Sequence, residues 1–330
     1  MNENALEWPV TRRQVLSAGV VAGAGFMLGC GSGGHSSTGW AFVDDRRRTV
    51  RLSKRPTRIV AYSVAAAALH QWGVTPVGVF GDSPQEDPVL DGFPWRESSI
   101  VGSVYGEIDV GKLLGLSAEL IVSQWYPPPA NSPLFGFKTL AQQKQIGARV
   151  PIVGLNGRVI ATRQIDRFSD LAQALGSDTR AGAIGQARAD FLRAAANLSE
   201  IASHKSNLRI IAVSGDQATM FVAKLVDDGD LSFYRRRGVP LVSAKTSDAY
   251  WDTLKWDQAA KYPADGILYD ARSTSFGLTQ ARKIPGFAAL PAVRANQVGS
   301  WHASTPPSYQ AYTEAMDDLA RTIASWRRIA

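Results

Sequence analysis

Cysteine is almost missing from this chain: Cys30 is the single one. No intramolecular disulfide can form, and no thiolate cluster can hold a metal. Histidine is scarce as well, and His35, His70, His204 and His302 show none of the paired spacings of a metal centre. No apolar run reaches the ~18 residues that a membrane-spanning helix needs. A Gly-x-Ser-x-Gly elbow, a Ser-x-x-Lys pair and a complete phosphate-cradling Gly-x-x-x-x-Gly-Lys-Ser/Thr loop are all lacking from the body of the chain, since Gly106–Lys112 is followed by Leu113 where the loop needs a hydroxyl. These absences leave hydrolases and nucleotide-binding enzymes without a motif. Dense Lys/Arg runs interleaved with aromatics are also lacking, so nucleic-acid binding has no support.

What is present is an ordinary core-forming composition, 45% apolar and 20% charged over 330 residues. The formal charge of +7 lies in the body, because Arg12 and Arg13 offset Glu3 and Glu7 in the leader. A basic body attracts anionic headgroups or an anionic ligand.

Residues 1–30 read as a targeting segment and not as part of the fold. Thr11-Arg12-Arg13-Gln14-Val15-Leu16 resembles a twin-arginine signal. A Gly/Ala-rich apolar run from Val15 to Leu28 follows, too short to span a bilayer comfortably. Leu28-Gly29-Cys30 resembles a lipoprotein box, with Cys30 the expected lipidation site. The acyl chains on such a cysteine suffice for stable anchoring, and the Gly/Ser-rich residues 31–39 are the expected flexible tether. The expected location is the extracytoplasmic face of the cell membrane.

Hydrophobic patterning predicts an α/β protein. Trp40–Val43 and Thr49–Leu52 flank the turn signal Asp44-Asp45 as a strand pair. Strands at 58–63, 77–80, 120–123 and 150–155 alternate with helices at 65–72, 108–116 and 137–146, the pattern of a parallel sheet. Helix 164–175 stops at Gly176. A long helix then runs to about His204, with Ser177 or Asp178 as its cap. Its apolar positions, Ala181, Ile184, Ala187, Phe191, Ala195, Leu198 and Ala202, recur at spacings of three and four. Some ~27 helical residues make a rod of roughly 40 Å. Strands at 208–214, 219–222, 266–269 and 297–300, with helices at 231–237, 256–262 and 309–326, form a second α/β unit. The expected organisation is therefore two Rossmann-like α/β lobes, 40–160 and 207–330, joined by connecting helices at 161–206, of which one long helix is the bridge.

On these elements the chain resembles the substrate-binding lipoproteins of iron–siderophore and cobalamin ABC importers. The resemblance rests on Arg48–Leu52 with Lys54–Val60, on Leu69–Val79, on Tyr262–Tyr269 and on Leu290–Val298. It implies delivery of a ferric siderophore to permease subunits, with acids on each lobe docking onto permease arginines. Asp257 stands at the second-lobe position. In the first lobe Gly111 replaces the expected acid, and nearby Glu107 is the substitute candidate. Cobalamin or haem binding within the same class, and more remotely an exported hydrolase, are the alternatives. No catalytic residue, resident cofactor or protein metal ligand is expected, and the protein is expected to be a monomer.

Ligands of open parallel sheets bind beyond the carboxyl ends of the strands. Aromatics cluster there: Tyr62, Phe80, Tyr105, Trp125, Tyr126, Trp251 and Trp301. Iron in a siderophore is already fully coordinated, so the protein needs aromatic walls and a guanidinium donor for ligand oxygens. Arg272 is the candidate donor.

Overall fold

The computed structural model describes residues 39–127, 131–272 and 276–329. Cys30, the leader and most of the tether lie outside the described residues. Among those described, no helix is long and apolar enough to cross a membrane.

The chain opens with strands β1 (Trp40–Val43) and β2 (Thr49–Leu52), an antiparallel pair. Its turn is pinned to the first sheet, for Gly154 N–H donates to Asp44 Oδ2 and Asn156 N–H to Asp45 Oδ2. Next come β3 (Ile59–Tyr62), α1 (Ser63–Gln71), β4 (Gly78–Phe80), β5 (Ser99–Gly102), α2 (Val110–Gly115), β6 (Leu120–Trp125), α3 (Leu140–Gly147) and β7 (Ile152–Asn156). Their sheet has the order β5-β4-β3-β6-β7, parallel throughout. Edge strand β5 is an addition to the sequence reading. Its four residues Ser-Ile-Val-Gly are too short to declare a period.

Two helices follow, α4 (Ala161–Ala174) and α5 (Gly182–His204). Neither Ser177 nor Asp178 caps α5, because the helix begins after Ala181 without a side-chain cap. Asp178 instead closes a turn by accepting from Arg180 N–H, and Ser177 donates to the Trp72 carbonyl. At 23 residues, α5 is a rod of about 34 Å, shorter than the pattern implied.

The second sheet is built from β8 (Ile210–Gly215), β9 (Thr219–Ala223), β10 (Trp251–Lys255), β11 (Gly266–Asp270) and β12 (Val298–Trp301), with α6 (Gly229–Arg236) between β9 and β10. Its order is β10-β9-β8-β11-β12, and it is mixed. Strands β8, β11 and β12 run parallel, whereas β9 and β10 are antiparallel additions. The connection between β8 and β9 explains this. Asp216–Ala218 is a tight turn held by the Asp216 carboxylate, far too short for a parallel crossover. Residues 256–261, expected as an α-helix, form a 3₁₀ helix. Short helices α7 (Leu278–Ala281), α8 (Pro285–Ala288) and α9 (Pro291–Arg294) span the β11–β12 crossover, and α10 (Tyr309–Ala324) ends the fold.

Alternation along the strands divides the core. Ile59 and Ala61 of β3, with Ile210 and Ala212 of β8, face one common apolar cluster. Val60 and Tyr62 face a separate cluster outside the first sheet, and Ile211 and Val213 one outside the second. The common cluster is completed by Phe191, Leu198 and Ala202 of α5 and by Tyr312, Met316 and Ile323 of α10, which packs along α5. Trp72, just past the end of α1, reaches across it, donating from Nε1 to Pro307 O at 2.9 Å and resting on Tyr309. The lobes thus share one interior in addition to the linking helices.

Gly229, the first residue of α6, sits tightly against the chain that leaves the first lobe. A Cβ there would lie 2.2 Å from Val159 O and 2.5 Å from Gln164 Nε2. By contrast, a Cβ at Gly185 in α5 would meet nothing within 4 Å. Gly229→Ala is expected to destabilise by roughly 1–3 kcal/mol through overpacking. Gly185→Ala is expected to stabilise by about 0.5–1 kcal/mol. Denaturant unfolding of the two variants beside the parent checks both signs.

Candidate functional site: an aromatic cleft between the lobes

Two adjoining cavities lie between the lobes. The larger, about 190 Å³, is walled by Tyr126 and Phe135 of the first lobe, by Gln164 of connecting helix α4 and by Asp227–Asp230, Tyr250, Trp251, Arg272 and Ala303–Thr305 of the second lobe. The smaller, about 160 Å³, is walled by Tyr62, Asp82, Asp87, Tyr105, Phe135, Arg272 and His302. Phe135 and Arg272 belong to both, so the two form one cleft. Together they reach the low end of the ~300–1,000 Å³ typical of ligand sites.

Five of the eight residues expected at the site line this cleft: Tyr62, Tyr105, Tyr126, Trp251 and Arg272. Three do not. Phe80 is 1% exposed, because the loop after β6 lays Phe137 on its ring and brings Gly136 so close that a Cβ would sit 2.6 Å from it. Trp301 is 5% exposed and packs behind Trp251, one layer from the cavity. Trp125 has the wrong parity. Along β6, Leu120 and Val122 face the shared interior, while Ile121 and Trp125 face the outer cluster.

Phe135, which the sequence reading passed over, organises the wall. Its ring meets Tyr62, Tyr105 and Tyr126 edge-on, with centroids 5.2–5.3 Å away. Ser123 Oγ donates to Phe135 O at 2.6 Å, which fixes the loop that carries it. The signal was the apolar run Leu134-Phe135-Gly136-Phe137 after a strand, hidden because loops are expected to be polar.

Arg272 is held in place before any ligand arrives. Nε lies 2.9 Å and Nη2 2.6 Å from Asp270 Oδ2, and Asp270 is 1% exposed. Burial opposes the guanidinium charge, but the Asp270 carboxylate outweighs it and keeps the Arg272 pKa above its ordinary value. Three contacts cross the cleft mouth. Arg158, after β7, pairs with Asp227. Tyr250 donates from its hydroxyl to Pro127 O at 2.5 Å. His302 Nε2 faces Asp87 Oδ1 at 3.4 Å, and its Nδ1 accepts from Ser304 N–H.

Asp228 and Asp230 open α6 at the cavity floor. Asp228 caps the helix by accepting from Leu231 N–H at 2.8 Å. Asp230 accepts from Tyr312 Oη and from Thr305 N–H. Burial, and for Asp228 the neighbouring Asp230, push both carboxyls above the ordinary range. Glu107 and Asp257 are both exposed. Glu107 follows β5, its carbonyl packed on Gly102, and Asp257 follows β10, whose final residue Lys255 pairs with Thr219 beside the end of β8. Both acids therefore lie at the carboxyl-end edge of their sheets. Among the described residues, no group of three or more His, Cys, Asp or Glu side chains could hold a metal ion.

No protein-family model matches the chain, and no curated protein matches it by sequence. Solved structures do match. DesE, a ferric-siderophore receptor protein from Streptomyces coelicolor, is 28% identical with a TM-score of 0.82, the match covering 88% of this chain and 100% of DesE. This chain has the two-lobed fold of the siderophore-binding proteins. The siderophore periplasmic binding protein from the fuscachelin gene cluster of Thermobifida fusca is 17% identical (TM-score 0.59, covering 81% of this chain and 96% of that one). FhuD from Vibrio cholerae, solved with Fe3+-Desferal, is 15% identical (TM-score 0.59, 82% and 99%). At those two identities the likeness concerns the fold alone. With DesE the match extends over the full length of the other protein.

A carboxyl whose pKa is raised on folding keeps its proton in the fold where the unfolded chain has lost it. Stability is then full below the ordinary carboxylate range, near pH 4, and falls as pH rises toward the raised folded value. Asn can cap α6 as Asp228 does but cannot ionise. Asp228→Asn is expected to raise Tm above the parent at pH 8, with the gap much smaller at pH 5, as read by thermal melts at the two pH values.

Proposed function

We propose that this protein is an extracytoplasmic solute-binding protein that captures a ferric siderophore in the interlobe cleft and delivers it to an ABC permease. The observation that carries the reading is the cleft itself. Aromatic rings from both lobes and a pre-oriented guanidinium converge on a cavity in a fold that matches a ferric-siderophore receptor over its whole length.

The chemistry fits the cargo. A ferric siderophore presents a broad, partly apolar surface around iron whose coordination is already complete. Tyr62, Tyr105, Tyr126, Phe135 and Trp251 supply apolar area, each ring burying ~150–250 Å² when covered. At ~25 cal/mol per Å² a few rings reach the several kcal/mol that micromolar or tighter capture requires after association costs. The Arg272 edge not engaged by Asp270 supplies a charge-assisted donor to ligand oxygens. The protein adds no bond to iron and performs no chemistry on it. It orients the complex, excludes water from its faces and holds it between lobes whose mouth contacts open and re-form. Glu107 and Asp257, one on each lobe, are the docking acids for the permease, and lipidated Cys30 keeps the body at the membrane.

Tryptophan quenching of the purified body by ferric siderophores, against their iron-free forms, tests the reading. Saturable quenching at micromolar or lower concentration is expected, and none with any ferric siderophore, cobalamin or haem rejects it. Phe135→Ala is expected to weaken affinity about 10–100-fold, the loss of one well-packed aromatic wall. Paired Glu107→Ala and Asp257→Ala changes are expected to leave quenching intact and to abolish iron uptake in a transport assay.

A further inference from the structure

The cleft is lined by carboxyl groups and has no spare Lys or Arg, although the chain is basic. Against a formal charge of +7, the cavity walls carry Asp82, Asp87, Asp227, Asp228 and Asp230. Arg272 is the one Lys or Arg among the described wall residues, and the buried Asp270 already neutralises it. Arg158 and Lys224, just behind the wall, are both engaged with Asp227. Neither Asp228 nor Asp230 forms an ion pair among the described residues. The segments 128–130 and 273–275, which follow Pro127 and Arg272 in the chain, hold no ionisable side chain.

From this balance of charges we infer that the cleft accepts ferric complexes that are neutral or positively charged and rejects polyanionic ones. The inference rests on the function proposed above and narrows the class of ligand. Three hydroxamates neutralise ferric iron, so a tris-hydroxamate complex is neutral at its centre, and a protonated amine on its chain makes it a cation. A tris-catecholate complex is a trianion, and carboxylate-type complexes also retain negative charge. A buried anion must exchange hydration for compensating cations, and this cleft has none to spare. An ammonium group, in contrast, finds the Asp228 and Asp230 carboxyls at the floor of the larger cavity, and its positive charge favours their ionised forms, which burial disfavours in the empty cleft. Complementary charge then steers the choice of ligand more than it raises affinity overall.

The test varies charge on one scaffold. A linear ferric tris-hydroxamate with a terminal ammonium is compared with its N-acetylated (neutral) and N-succinylated (anionic) derivatives, and with a ferric tris-catecholate, by tryptophan quenching at pH 7.5. The ammonium and acetyl forms are expected to bind at least about tenfold tighter than the succinyl form, and the tris-catecholate not to saturate. Asp228→Asn is expected to narrow the gap between ammonium and succinyl forms. Equal binding of the three derivatives, or tight binding of the tris-catecholate, overturns the charge inference and leaves ferric-siderophore capture standing. Failure of every complex to bind a folded protein removes both.

Discussion

Both sheets turn one face toward the same apolar layer, and the geometry of the cleft depends on that layer. Residues of β3, β6 and β7 from one side and of β8 and β11 from the other meet the buried stripes of α5 and α10 in a single cluster. Side chains such as Leu198, Phe191 and Ile323, each at 1% exposure or less, contribute about 1.5–3 kcal/mol apiece by leaving water. Separating the lobes along this layer would expose all of it at once. The lobes therefore hold a fixed mutual position at the back, where Gly229 lies against the Val159 carbonyl, and movement is left to the front.

At the front the two lobes touch through a few polar contacts and rings. Arg158 with Asp227, Tyr250 with Pro127 and His302 with Asp87 are local polar contacts, separate from the apolar layer, that contacts to a ligand can replace. A rigid back with a soft mouth suits a carrier, which must bind firmly yet release. Rigidity also orients the walls: Phe135 is fixed by its neighbours' rings, and Arg272 by a carboxylate buried beneath it. Little ordering cost then remains to be met when a ligand enters.

The sequence was informative where a pattern is local. The buried stripe of α5, the turn at Asp44-Asp45 and the parallel strands β3, β4, β6 and β7 all follow from spacing and turn chemistry. Strands β5 and β10 and the 3₁₀ helix at 256–261 escaped because short edge elements owe their form to neighbours. The rule that ligands gather beyond strand ends found Tyr62, Tyr105, Tyr126, Trp251 and Arg272. It failed for Phe80, Trp125 and Trp301, since a strand end has two faces and a loop from elsewhere can cover either. It also missed Phe135 and the acids of α6, whose place depends on contacts across the lobes.

The amino-acid sequence alone determined the two α/β units, the helices that join them and an aromatic-rich set of loops, because periodicity and turn residues act over a few positions. Tertiary structure alone decided which rings face the cleft, which guanidinium is already neutralised and how charge is distributed there. Those properties arise between segments far apart in the chain, such as Asp230 with Tyr312 or Arg158 with Asp227, and no local pattern encodes the distance between them.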